Sequence, residues 1–191
     1  MRHLAPASLL SLLGLALALG CSEGTSPTDA VRPTFRAGGR AGFGFNGEVS
    51  GFPTGAVRLT GGGSFDPTTA SNTVPDPETS VHSAGGFDCT ATVAQGPLAG
   101  CAAGEGVRWD TAQLLASTSF KCTGSDAAKP ATTNAHTAVL RADFYRAGDG
   151  NHESFTAQMI VADGDLRPDI PGVQNLWVQG VGCGTAIVNF N

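Results

Sequence analysis

HTAVLRADFYRAGDGNHESFTAQMIVA, residues 136–162, shows the pattern of this chain most clearly. Ala138, Leu140, Ala142 and Phe144 occupy alternate positions in its first half, and Phe155, Ala157, Met159 and Val161 do so in its second. Side chains two apart share one face of a strand, so each half reads as a strand with an apolar face. Asp149-Gly150 lies between them, a favoured type I′ pair because both central positions take positive φ. Folding the chain there makes Phe144 face Phe155, Leu140 face Met159, Ala138 face Val161 and Arg146 face Glu153. A slip of one residue would set Phe144 against Thr156 and break every apolar pair, so turn chemistry and side-chain phase specify the same register.

The same period of two extends outward. Ala56 to Thr60 alternates up to the Gly61-Gly62-Gly63 break. Phe87, Cys89, Ala91 and Val93 share one phase, and Leu114, Ala116, Thr118, Phe120 and Cys122 share another. Only Asp110 to Ala116 carries a helix signal, a short turn with Asp110 as N-cap. The chain therefore reads as all-β and antiparallel, a β-sandwich or a partly open barrel. About 140 residues suit one domain with one core.

Composition divides the chain. Residues 22–48 are rich in Gly, Ser, Thr, Pro and Arg and read as a flexible tether, with a root-mean-square reach of about 30 Å. Asp66 to Glu78, with Pro67, Pro75 and Pro77, reads as a long surface loop. The all-β domain is expected over 49–191. At the other extreme, Arg2 and His3 precede an apolar run from Leu9 to Leu19 that stops at Ala18-Leu19-Gly20-Cys21. A charged start, a short apolar core and small residues at the cut describe an export signal, and the run is too short to span a bilayer stably.

The Cys directly after the small residue resembles the lipobox of bacterial lipoprotein precursors, with Ala18 where that family most often has Leu. The resemblance covers about a tenth of the chain. It implies that residues 1–20 are a signal peptide and that Cys21 carries the lipid anchor. Ser22 resembles the sorting pattern for the outer membrane where there are two membranes; with one, the anchor lies on the outer face of the cytoplasmic membrane. A plain secretory cut at Ala16-Leu17-Ala18 is the competing reading.

Cysteine arithmetic favours the lipoprotein. The chain has five cysteines, and an odd thiol in an oxidising compartment is a liability. Setting Cys21 aside leaves Cys89, Cys101, Cys122 and Cys183 for two disulfides. The turn signal Gln95-Gly96-Pro97 favours Cys89 with Cys101, leaving Cys122 for Cys183. The repeated pattern Phe-Asp-Cys-Thr and Phe-Lys-Cys-Thr at residues 87–90 and 120–123 argues instead for Cys89 with Cys122.

Candidate chemistry is sparse. Without Arg2 the mature chain has 10 basic against 16 acidic residues, a net charge of −6, which disfavours nucleic acid as a partner. Asp149, Asn151 and Glu153 alternate as at the opening of an EF-hand calcium loop, but Ser154 stands at the sixth position and Ile160 at the twelfth, where Gly and Glu are required. These three are the candidate metal ligands, and a polar hairpin turn is the plainer reading. Asp163, Asp165 and Asp169 form a second acidic group past the far end of the hairpin. His82, His136 and His152 lack zinc spacing. Gly42-Phe43-Gly44-Phe45-Asn46-Gly47 matches G-x-G-x-x-G by letter, without the strand before it and helix after it that a dinucleotide site needs. Gly180 to Gly184 reads as a tight bend bringing Cys183 to its partner. Trp109, between Arg108 and Asp110, is the candidate for a sugar-stacking platform; Trp177 reads as core.

These observations point to an exported, lipid-anchored protein with a non-catalytic all-β binding or structural module, no cofactor, and an envelope polysaccharide or protein as partner. An envelope hydrolase, with acidic residues gathered from distant loops, and a calcium-stabilised carbohydrate-binding module are the alternatives.

Overall fold

The computed structural model describes residues 39–73, 80–150 and 152–191. Eleven strands follow one another: β1 (Ala41–Gly51), β2 (Ala56–Phe65), β3 (Val81–Ala91), β4 (Arg108–Leu114), β5 (Ser117–Phe120), β6 (Lys129–Thr132), β7 (Thr137–Tyr145), β8 (Phe155–Ala162), β9 (Leu176–Val178), β10 (Gly182–Gly184) and β11 (Ala186–Phe190). The described helical content is a single 3₁₀ turn, Pro67–Thr69, whose N-cap Asp66 accepts from Thr68 N at 2.9 Å.

The architecture is a barrel, not a sandwich. Pairing runs β1-β2-β3-β4-β7-β8-β9-β10 and returns from β10 to β1. Each contact in this ring is antiparallel. β10 and β11 act as one strand broken at Thr185, because Ser50↔Cys183 and Phe43↔Phe190 continue a single register against β1. The ring closes at β9 and β10; beyond Thr185 that strand keeps β1 as its only strand partner among the described residues. Hence the barrel is closed at one level and split at another.

The β7–β8 register is the one read from sequence: Phe144↔Phe155, Leu140↔Met159 and Ala138↔Val161. The turn is wider than expected. The strands stop at Tyr145 and Phe155, and His152 N donates to Asp149 O at 3.3 Å, so Gly150 follows the first turn residue and takes φ +68°. Arg146 therefore does not face Glu153. It lies 3.6 Å from Glu105 and 3.4 Å from Asp149.

Inward positions of the ring form one core that includes Phe43, Phe65, Leu59, Trp109, Leu140, Phe144, Met159 and Val178. Gly61 explains how a narrow ring admits so large a ring system: a Cβ there would lie 2.6 Å from Trp109 Cζ2 and 2.6 Å from Ala84 O. Gly61 to Gly63 is consequently no strand break, and β2 runs through it to Phe65.

Two further expectations fail for the same reason, that glycine and polar residues sit on the outer wall while alternate positions fill the core. Residues 41–48, assigned to the tether, belong to β1, with Ala41, Phe43 and Phe45 buried. The domain thus begins before residue 49, and the G-x-G-x-x-G letters lie inside a strand. Asp110 to Ala116 is not helical; it lies largely in β4, which bulges between Thr111 and Gln113.

A second, smaller core lies on the outer wall. The β5–β6 hairpin brings Phe120, Cys122 and Ala131 onto Val139, Ile160 and Trp177. This separates residues that sequence placed in one phase: Leu114 joins the barrel core, whereas Phe120 and Cys122 join the outer one. It also buries β7 and β8 on both faces at Val139 and Ile160, each 0% exposed.

Candidate functional site

Both disulfides follow the pairing favoured from the Gln95-Gly96-Pro97 turn. Cys89 bonds to Cys101, and Cys122 bonds to Cys183. Gly96 takes φ +82°, and Val93 N donates to Cys101 O at 2.9 Å, closing the intervening loop. Cys122–Cys183 clamps the end of β5 to β10. Cys21 lies outside the described residues.

Trp109 is not a platform. It is 0% exposed, its Nε1 donates to Thr60 O at 2.9 Å, and its ring centroid lies 5.8 Å from that of Phe45. Flanking charges misled the reading, because Arg108 and Asp110 point outward from the same strand and bond to each other at 2.8 Å. Trp177 is buried as expected and donates to Lys121 O at 3.1 Å.

The proposed calcium residues have other occupations. Asp149 accepts from Ser154 Oγ and lies beside Arg146 Nε; Ser154 first, then Arg146, hold its carboxyl below the usual range. Glu153 is exposed, and Asn151 lies outside the described residues. Among the described residues, no group of three or more His, Cys, Asp and Glu side chains is arranged to hold a metal ion.

The second acidic group is taken up in the loop after β8. Asp163 pairs with His136 at 2.7 Å, and Asp165 Oδ1 accepts from Arg167 N and Gln174 N. Asp169 takes both Arg167, at 2.8 Å, and Lys129, at 2.7 Å. Arg167 is 3% exposed and also lies 3.2 Å from Asp126. A buried guanidinium requires such partners. Asp169, foremost among them, raises its affinity for the proton, while Arg167 and then Lys129 hold the Asp169 carboxyl far down. This network ties the β6 side of the outer hairpin to the β8–β9 loop. Its members lie some forty positions apart, 129 from 169, so no local pattern could reveal it.

Several depressions mark the surface of the described residues. The most polar, about 400 Å³, lies between the loop after Cys101 and the β7–β8 loop, lined by Gly104, Glu105, Gly106, Arg146, Ala147 and Asp149. Arg146 sits between the two carboxylates, with its guanidinium 5.1 Å from the Phe155 ring. Both carboxylates face the one guanidinium, an arrangement suited to holding a polar group by hydrogen bonds. A shallow hollow on the wall at β3 and β4 is lined by Gly62, His82, Ser83, Asp110 and Thr111, and there Ser83 and Thr111 hydroxyls bond to each other. An apolar cleft of about 270 Å³ between the β1–β2 loop and the outer hairpin is lined by Phe52, Pro53, Phe120 and Trp177.

No family model matches this chain, and no curated protein or solved structure matches it either.

Proposed function

We propose that the chain is an exported lipoprotein, anchored to a bacterial membrane through a lipidated Cys21, whose barrel is a non-catalytic binding or structural module of the cell envelope. One observation carries the reading. Cys89, Cys101, Cys122 and Cys183 are all consumed in two disulfides, so of the five cysteines only Cys21 is left over. Disulfides persist in oxidising compartments outside the cytosol, where a spare thiol is a hazard. Acylation removes that hazard, and Cys21 stands directly after Ala18-Leu19-Gly20. Two or more acyl chains, each buried methylene contributing about 0.8 kcal/mol, hold such a protein at a membrane without a spanning segment.

The non-catalytic reading draws support from the filled barrel interior and from the carboxylates of the polar cleft. A hydrolase of the two-carboxylate kind needs one acid in an apolar setting, whereas Glu105 and Asp149 flank the Arg146 guanidinium. The carbohydrate-module reading rested on an exposed Trp109, which is buried. The module's partner is an envelope polysaccharide or protein, not nucleic acid.

Metabolic labelling with a fatty-acid analogue tests the anchor. The wild type should be tagged and Cys21→Ser should not; equal tagging of both would sink the proposal.

A further inference from the structure

We propose that β11 is a self-pairing edge, through which two copies of the chain associate by antiparallel strand addition. The hydrogen-bond parity of β11 sets the argument. Gly42 and Asn191 exchange both main-chain bonds, at 2.9 and 3.0 Å. In an antiparallel ladder such closed pairs alternate with pairs whose N–H and C=O point away. With Gly44↔Asn189 and Asn46↔Ile187 next in register, the groups of Val188 and Phe190 are directed away from β1. Ala186 has the same parity and bears it out, since its N–H and C=O turn from β1 onto the Asn175 side chain, at 2.7 and 3.0 Å.

Asn175 thus ends the ladder at Ala186, and no described residue takes the main-chain groups of Val188 and Phe190. Apolar exposure gathers at the same place. Ile187 is 82% exposed and Val173 46%, two of the three large apolar side chains exposed among the described residues. Val173 O accepts from Thr185 Oγ1 at 2.6 Å, which sets it beside the start of β11. Monomeric proteins cover or charge an edge of this kind; among the described residues this one is bare, and apolar side chains flank it.

The occupant follows from self-complementarity. The open positions are 188 and 190, so an antiparallel copy centred on Asn189 opposes Val188 to Phe190 of its twin, twice over, and makes four main-chain hydrogen bonds. In that register Ile187 to Asn191 meets the same five residues and stops short of Ala186, where Asn175 stands. Val188 lies against Phe190 on the core side, Asn189 against Asn189 on the outside. Such an isologous contact leaves neither β11 edge open.

Asn189 is exposed on the outer face and forms the non-hydrogen-bonded pair of the dimer, with Cα atoms about 4.5 Å apart, within the span of about 4.4 to 6.8 Å that a disulfide bridges. The chain carrying Cys21→Ser and Asn189→Cys, purified with both disulfides formed and mildly oxidised, should run as a covalent homodimer on a non-reducing gel, with peptide mapping joining residue 189 to itself. Ala84→Cys, also exposed, on β3, should give several-fold less. A monomeric Asn189→Cys or equal yields from both variants would each overturn the proposal.

Discussion

Asn175 shows how much one side chain decides at the residue scale. It is 5% exposed and satisfies both main-chain groups of Ala186. Replacing it by Ala leaves a buried N–H and C=O without partners, at about 1–3 kcal/mol. Urea unfolding of Asn175→Ala should show that loss with an unchanged slope. Asp169 predicts the response to acid. Its folded pKa lies well below the ordinary 3.8, held there by Arg167 and then Lys129. A carboxyl lowered on folding contributes its full stability above the unfolded value, and that contribution fades as pH falls from there toward the folded value. Asp126, lowered by Thr123 and Arg167, acts in the same direction. Thermal melts should therefore decline steeply from about pH 4 to pH 2, and Asp169→Asn should be less stable at neutral pH with a shallower decline over that window. An equal decline in the variant would remove Asp169 from the explanation.

At the element scale the two disulfides are unequal. Cys89–Cys101 closes 12 residues and Cys122–Cys183 closes 61. Loop-closure entropy makes the longer bridge worth about 1.4 kcal/mol more. Its loss also frees the outer hairpin from Val139, Ile160 and Trp177. Paired Cys→Ala replacement at 122 and 183 should therefore lower the unfolding midpoint more than the same change at 89 and 101. The β7–β8 turn gives a cleaner test of backbone conformation. Gly150 holds φ +68° with nothing within 4 Å of a Cβ built on it, so Gly150→Val is penalised by conformation alone. A loss of about 1 kcal/mol or more is expected from a β-branched residue at positive φ; an unchanged midpoint would contradict the turn. Legibility at this scale tracked locality. The β7–β8 register and the Cys89–Cys101 turn were readable because partners lie within some twenty residues and one turn joins them. Phe43 and Phe45 were not, because Gly42, Gly44 and Gly47 around them mimic a tether until β11 supplies the other side of the sheet.

On the scale of the whole molecule, the barrel is a meander sealed by its two ends. β1 meets β10 and β11 from opposite ends of the barrel sequence, Phe43 against Phe190. Closing so long a loop must precede the reward of the pairing, and non-local β topologies fold in about milliseconds to seconds, not microseconds. Refolding of the oxidised chain, followed by the fluorescence of buried Trp109 and Trp177, should fall in that range. A microsecond phase carrying the full amplitude would show that closure is not the slow step.

The sequence by itself determined what depends on neighbours along the chain: the strand period of two, the 136–162 hairpin and its register, a domain with little helix, and an even set of cysteines once Cys21 is set apart. Its reading of Trp109 failed because exposure is not a property of flanking residues; Arg108 and Asp110 are wet, and Trp109, on the other face, fills the space over Gly61. Its tether ran too far for a related reason, since glycine on an outer wall and glycine in a linker have the same composition. Three features come from the assembled fold: the sheet closes into a ring, β5–β6 covers a second core, and Glu105, Arg146 and Asp149 share a cleft. Each depends on which distant strands become neighbours, and that choice is made by total burial around the closed ring, a quantity no single window of sequence contains.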